Sequence, residues 1–205
     1  RGQYGPGLLA GEPVAGYRQE PGVNDQSNTP TFAALKLFLD TWRWQGVPFF
    51  LRSGKRLAKR ATEVAIRFKD PPQLLFREVT TPLSPNVLIL RLQPNEGMTL
   101  RFEAKVPEMH FVIRDVKMDF SYGTSFIQDA PEAYERLLLD CMLGDATLFI
   151  RGDEAEAAWR ALMPVLDVWD TTPPPSAFPN YEVGTWGPEA ADRIFDRPWR
   201  KWRRL

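Results

Sequence analysis

VLILRLQPNEGMTLRFEAKVPEMHFVIRDVKMDF, residues 87–120, holds three strand signals in a row. Val87 to Gln93 is a continuous apolar run that ends in polar groups. Met98, Leu100, Phe102 and Ala104 then alternate with polar residues, as do Val116, Met118 and Phe120. A period of two is the pleat of a strand with one buried face. The turn QPNEG at 93–97 is too short to hold a crossover helix. Consecutive strands without helices between them predict an antiparallel sheet. Upstream, Val64, Ile66 and Phe68 alternate in the same way. The connection from Phe68 to Val87, with PP at 71–72, has room for another short strand.

Further from this stretch the period becomes helical. Downstream, Pro131 opens a segment in which Tyr134, Leu137, Leu138, Cys141 and Met142 form one apolar stripe. That stripe makes Cys141 a core thiol rather than a nucleophile. Asp153 is the expected cap of a second helix with Ala158, Trp159, Leu162, Val165 and Leu166 facing inward. Upstream, Thr29 and Pro30 read as N-cap and first helical position. Phe32, Leu35, Phe38, Leu39 and Trp42 follow at helical spacing as far as Gly46, so a helix is predicted there too. Val47 to Arg52 reads as a buried strand. Residues 1–28 are rich in Gly, Pro and polar groups and read as an extended surface loop. TTPPPSAFP, Thr171 to Pro179, is a stiff linker; a short helix from Pro188 and a basic tail follow. The fold class is α+β: a large, mostly antiparallel sheet flanked by helices. The expected organisation is a single domain over 1–205, with a Pro-rich linker and C-terminal arm at 171–205.

Composition narrows the function classes. Hydrophobic residues make up 43% and charged residues 25%, ordinary for a globular chain. Lys plus Arg and Asp plus Glu are 26 each, a formal net charge of zero, which argues against a dedicated nucleic-acid binder. The tail DRPWRKWRRL interleaves cations with Trp199 and Trp202. That pattern can bind single strands, but at this length it more often docks on an acidic surface of its own protein. One Cys excludes an intramolecular disulfide and a Cys-based zinc site. No apolar run reaches the roughly 18–20 residues of a membrane span, and no stretch reads as a signal peptide. The expectation is a cytoplasmic protein with no membrane or nucleic-acid partner. Seven Trp and thirteen Phe supply apolar surface for an interface as well as a core.

Chemistry concentrates in GVPFFLRSGKRLAKR, Gly46 to Arg60. A strand signal runs into a turn at Ser53 and Gly54, and Arg52, Lys55, Arg56, Lys59 and Arg60 crowd round it. Arg presents a planar fork of donors and Lys a mobile point charge, and both suit phosphate oxygens. A basic run after a strand is also commonly a solvated surface, and spacing alone does not choose between the two.

Several segments resemble one family in order along the chain. They are RGQYGPG (1–7), GYRQEPGV (16–23), TPTFAALKLFLDTWRWQGVPFFLRSGKRL (29–57), RLQPNEG (91–97), DFSYG (119–123) and PEAYERLLLDCMLGD (131–145). They are similar to the C-terminal half of glucose-6-phosphate dehydrogenases, from Arg1 to about Gly187. The resemblance implies that 1–205 is most of a substrate-binding and dimerisation domain. It implies that Lys55 and Arg60 bind the phosphate of glucose 6-phosphate and that Gln93 lies beside the sugar. A side-chain amide there can donate to one hydroxyl and accept from another. Arg56 and Lys59 are left as exposed or structural.

In some members Arg52, Arg91, Arg101 and Asp119 fall at positions that contact a second, non-catalytic NADP. Ala61, Ala65 and Thr99 stand where longer groups are needed, so that site is expected to be absent or much weakened, leaving Arg52 for packing or ion pairing. His110, the only His, sits in PEMHFVIRD, whereas the family's catalytic His belongs to a segment of the type RIDHYLGKE. No catalytic residue and no metal set is therefore assigned to this chain.

The chain begins with Arg1 and has no GxGxxG run opening a helix after a strand. The expectation is part of an NADP-dependent glucose-6-phosphate 1-dehydrogenase of the pentose phosphate pathway, with the NADP held mainly by a missing N-terminal domain. Partners would be glucose 6-phosphate and further copies of the chain, as a dimer or tetramer through the sheet. The alternative is a stand-alone, non-catalytic assembly or regulatory module of the same fold.

Overall fold

A computed structural model describes residues 1–70, 83–108, 112–126, 133–174 and 177–203. In chain order the strands are β1 (Tyr4–Gly5), β2 (Gly7–Leu9), β3 (Glu12–Val14), β4 (Phe32–Leu37), β5 (Phe49–Gly54), β6 (Thr62–Arg67), β7 (Val87–Gln93), β8 (Gly97–Lys105), β9 (Ile113–Ser121) and β10 (Tyr181–Glu182). The α-helices are α1 (Tyr122–Ser125), α2 (Ala133–Leu143) and α3 (Gly152–Thr171). Two 3-10 turns span Tyr17–Gln19 and Glu189–Ile194. The chain divides into two units, Arg1–Lys59 with Ile150–Leu205, and Arg60–Phe149.

The second unit holds the sheet read from the alternation. Its order is β6-β7-β8-β9, antiparallel throughout. Register aligns Val64, Leu90, Met98 and Phe120 in one row and Ile66, Leu88, Leu100 and Met118 in the next. One face is thus apolar, and Val64, Ile66, Met98, Val116 and Met118 on it are exposed to solvent. The opposite face carries Arg91, Ala65, Ile89, Thr99 and Asp119, and there Ile89 is 1% exposed. In α2 the stripe expected to be inward is largely open: Tyr134, Leu138, Cys141 and Met142 are exposed, so Cys141 is not a core thiol. The buried group of α2 is instead Asp140, which pairs with Arg136 one turn earlier at 2.9 Å and whose carbonyl accepts the Asp145 N–H.

In the first unit two expectations change. Residues 32–37 form strand β4, not a helix, paired antiparallel with β5 from Phe32↔Gly54 to Leu37↔Phe49. Ala, Leu and Lys favour a helix locally. The ladder to FFLRSG and the burial of Phe32 (3% exposed) outweigh that preference. A Cβ on Gly187, at φ +101°, would collide with the Phe32 ring, so only glycine seats it there. Residues 1–28 also prove structured. β1 pairs in parallel with β10, and β2 and β3 form a hairpin. Tyr4 joins Phe32, Tyr181, Val183 and Ala191 in the core, with Leu57 and Tyr17 packed against it. Gln3 is fully buried, its amide donating to the Ser27 and Thr29 carbonyls at 2.9 Å. Strands of two or three residues have too few alternations to read from sequence.

Arg151, not Asp153, is the N-cap of α3. Asp153 lies in the first turn, where the helix dipole favours a carboxylate, and accepts from the Glu154 N–H at 3.0 Å and from Arg151. Leu162, Val165 and Leu166 are half-buried, but Ala158 and Trp159 are exposed. At the other end, Arg1 donates to the carbonyls of Trp169 and Thr172 and so satisfies the helix C-terminus.

Candidate functional site: the turn after β5

The cations of Gly46 to Arg60 emerge where β5 ends. Four backbone contacts fix this turn. The Lys55 N–H donates to the Thr31 carbonyl at 2.9 Å, and the Lys55 carbonyl accepts the Tyr181 hydroxyl at 2.9 Å. The Gly184 N–H donates to the Arg56 carbonyl, and the Ala58 N–H to the Thr185 carbonyl, both at 2.9 Å. The backbone is pinned between strand β4 and the segment around β10, while the Lys55 side chain is exposed.

The cations divide by environment. Arg56, with φ +53°, turns back and pairs with Glu20 at 3.1 Å. Glu20 also accepts the Tyr4 hydroxyl at 3.1 Å; burial pushes the pKa of that phenol up and keeps it a donor. Arg56 is therefore structural. Lys55, Lys59 and Arg60 are exposed, and among the described residues Lys55 and Arg60 form no ion pair. Lys55 belongs to the first unit; Arg60 opens the second, which also holds Gln93.

Gln93 ends β7 opposite Thr62 and is exposed; its amide donates to the Thr62 hydroxyl at 2.9 Å. Arg91 lies on the polar face of the sheet. It donates to the Asp119 carboxylate at 2.9 and 3.3 Å, to the Phe120 carbonyl at 2.9 Å and to the Thr99 hydroxyl. Thr99 in turn donates to Asp119. The Arg91 bond first, and the Thr99 bond second, hold the Asp119 carboxyl below the usual carboxylate range. A Cβ on Gly97 would run into the Phe120 carbonyl and the Arg91 guanidinium, so the knot needs glycine at the start of β8. Arg101 pairs with Asp115 at 3.0 Å.

Arg52 lies between two indoles, 5.2 Å from the Trp186 ring centre and 4.8 Å from that of Trp202, and donates to the Trp186 and Arg203 carbonyls. Around it the C-terminal tail docks on β4 and β5. Phe195 packs on Phe50 and Trp202, Arg200 lies over Phe50, and Asp196 pairs with Lys36 and Arg200. The docking surface is aromatic and basic rather than acidic; the carboxylate sits on the tail side.

His110 lies outside the described residues, as do Pro131 and residues 71–82. Among the described residues no cluster of His, Cys, Asp or Glu could hold a metal ion, and no helix is long and apolar enough to cross a membrane. Sequence reasoning missed Thr31, Tyr181 and Gly184 as supports of the turn. No local signal marks them, because Tyr181 is 126 residues from the carbonyl it holds.

The described residues thus form a mostly antiparallel α+β framework in which a turn held by four hydrogen bonds carries exposed cations. The family description "Glucose-6-phosphate dehydrogenase, C-terminal domain" matches residues 1–203. The chain is 49% identical to the glucose-6-phosphate 1-dehydrogenase of Chlamydia pneumoniae, over 100% of this chain and 40% of that protein. It is 50% identical to glucose-6-phosphate 1-dehydrogenase 2 of Mycobacterium tuberculosis, over 100% of this chain and 39% of that protein. A crystal structure of glucose-6-phosphate 1-dehydrogenase from Mycobacterium avium aligns with TM-score 0.71 and 37% identity, over 97% of this chain and 41% of its own. A glucose-6-phosphate dehydrogenase in complex with its substrate glucose-6-phosphate aligns with TM-score 0.81 and 29% identity, over 99% of this chain and 41% of its own. The chain belongs to the glucose-6-phosphate dehydrogenase family, as its C-terminal domain. It spans about 40% of the length of the relatives it matches.

Proposed function

We propose that this chain is the substrate-gripping and assembly part of an NADP-dependent glucose-6-phosphate 1-dehydrogenase of the pentose phosphate pathway, acting in the cytoplasm. The observation that carries the reading is the turn after β5: its backbone is held by four hydrogen bonds while Lys55 stands open without an ion-pair partner among the described residues. Such a cation on a rigid support suits a phosphate dianion, because the backbone beneath it does not have to be ordered on binding. A relative of the same fold is described in complex with glucose-6-phosphate.

Lys55 and Arg60 are assigned to the phosphate and Gln93 to a sugar hydroxyl. Gln93 would exchange its bond to Thr62 for one to the sugar. Binding energy at the phosphate orients C1, the carbon oxidised to the lactone, for reaction elsewhere in the polypeptide. When bound, NADP would accept the hydride from C1, and a His outside this chain would take the hydroxyl proton. The sheet of the second unit is assigned to self-association as dimer or tetramer.

The test is nicotinamide reduction by a polypeptide that joins residues 1–205 to a coenzyme-binding half. Lys55→Ala is expected to raise the KM for glucose 6-phosphate by about tenfold to a hundredfold, the value of one charge-assisted hydrogen bond. Residues 1–205 alone are expected to show no turnover. Turnover by residues 1–205 alone would overturn the assignment of the base to another segment. An unchanged KM in Lys55→Ala would remove Lys55 from the phosphate site and favour a non-catalytic assembly module.

A further inference from the structure

Tyr181 is buried beside Tyr4 and Phe32, its ring centre 5.6 Å from that of Phe32. Its hydroxyl reaches the Lys55 carbonyl at 2.9 Å and the Thr31 hydroxyl at 3.0 Å. The proton directions in this cluster follow from chemistry. Two carbonyls lie within reach of the one Tyr181 proton, and the nearer, that of Lys55 at 2.9 Å against 3.3 Å for Thr31, is assigned to it. The Tyr181 oxygen then accepts from the Thr31 hydroxyl, and the Thr31 oxygen accepts the Tyr4 N–H at 3.0 Å. The Thr31 carbonyl, 3.3 Å from the same phenol, already takes the Lys55 N–H at 2.9 Å. The chain therefore runs in one sense, from Tyr4 N–H through Thr31 and Tyr181 to the Lys55 carbonyl. Each link polarises the next.

From this geometry we infer that Tyr181, oriented by Thr31, is a positioning residue for substrate phosphate: it holds the Lys55 backbone so that only the side chain has to settle on the phosphate. The inference rests on the assignment of Lys55 to the phosphate. Tyr181 touches neither substrate nor reacting atoms, and its effect passes through one carbonyl. Lys55 is gripped on both sides, at its N–H by Thr31 and at its C=O by Tyr181, while four methylenes and the charge stay free. Burial pushes the Tyr181 pKa up, so the hydroxyl remains a donor through neutral and mildly alkaline pH.

The test uses the dehydrogenase polypeptide described above, with glucose 6-phosphate and with glucose, which lacks the phosphate. Tyr181→Phe is expected to lower kcat/KM for glucose 6-phosphate about fivefold to tenfold, mostly through KM, the value of roughly one hydrogen bond. It should leave kcat/KM for glucose within about twofold of the parent. A purely structural role lowers both substrates together, and that result would overturn the inference. Thr31→Val provides a second probe should Tyr181→Phe not fold. It should act in the same direction with a smaller effect, while Thr31→Ser, which keeps the hydroxyl, restores parental KM. Loss of function in Thr31→Ser equal to that in Thr31→Val would also overturn it. Lys55→Ala separates the two levels of argument. If Lys55→Ala weakens glucose 6-phosphate selectively and the Tyr181 and Thr31 variants do not, the positioning role fails alone. If Lys55→Ala has no effect, the assignment beneath it fails as well.

Discussion

Arg91, Thr99 and Asp119 share one set of hydrogen bonds on the polar face of the sheet, and Asp119 is the member that pH can remove. Its carboxyl is held below the usual range because Arg91 and then Thr99 bond the charged form. A depressed folded value means the contribution to stability is complete above the unfolded value of about 3.9. It is lost as pH falls from there through the folded value. Asp119→Asn should therefore lower Tm near neutral pH, and the gap to the parent should close as pH falls below about 4. A gap constant with pH, measured by thermal unfolding across that window, would exclude the ionic part of the knot. At this scale the basic run was legible as a cluster, and the supports of its turn were not. Lys55 and Arg60 stand in a conspicuous basic run. Thr31 and Tyr181 act through partners far along the chain, and single residues carry no sign of such pairings.

Elements divide by length. β7, β8 and β9 span seven to nine residues, so period two has room to repeat, and their boundaries were close to readable. β4 was misread because FAALKL is a good helix sequence whose strand state depends on β5 and on the pocket for Phe32. The β2–β3 hairpin was missed for its shortness. Its two-residue connection puts Ala10 and Gly11 at φ +53° and +88°, the positive values that a type I′ turn requires. Alanine is a poor occupant of the first position, since a left-handed conformation costs an L-residue about 1 kcal/mol. Ala10→Asn should raise unfolding free energy by up to about 1 kcal/mol, seen as a higher denaturant midpoint at unchanged slope. A lower midpoint would mean that the turn is not of this type.

At the scale of the whole chain, apolar surface is conspicuous. One sheet face exposes Val64, Ile66, Met98, Val116 and Met118, and α2 exposes Tyr134, Leu138 and Met142. Exposed patches of this kind mark interfaces. Residues 1–205 alone should associate with rising concentration, and Met118→Lys should shift sedimentation toward the monomer. Met118 is 64% exposed, so a lysine there can reach water without disturbing the sheet. A parent chain that sediments as a compact monomer at all concentrations would contradict the assignment of this face to contact. The α+β class and the antiparallel sheet were legible from period alone. The open stripe of α2 was not, because a stripe of apolar residues looks the same whether or not it is covered.

The parallel pairing of β1 with β10 joins residues 4–5 to residues 181–182. During synthesis residues 4–5 leave the ribosome long before their partner strand exists, and the exposed edge waits for it. Tyr181, made 126 residues after the Lys55 carbonyl that it holds, and Gly184 likewise follow the turn they fix. The Lys55 turn therefore lacks three of its four holding bonds until residues 181–185 are made, and a nascent chain stalled before residue 181 carries the basic run without that support. Pairing across so long a stretch of sequence is slow to close.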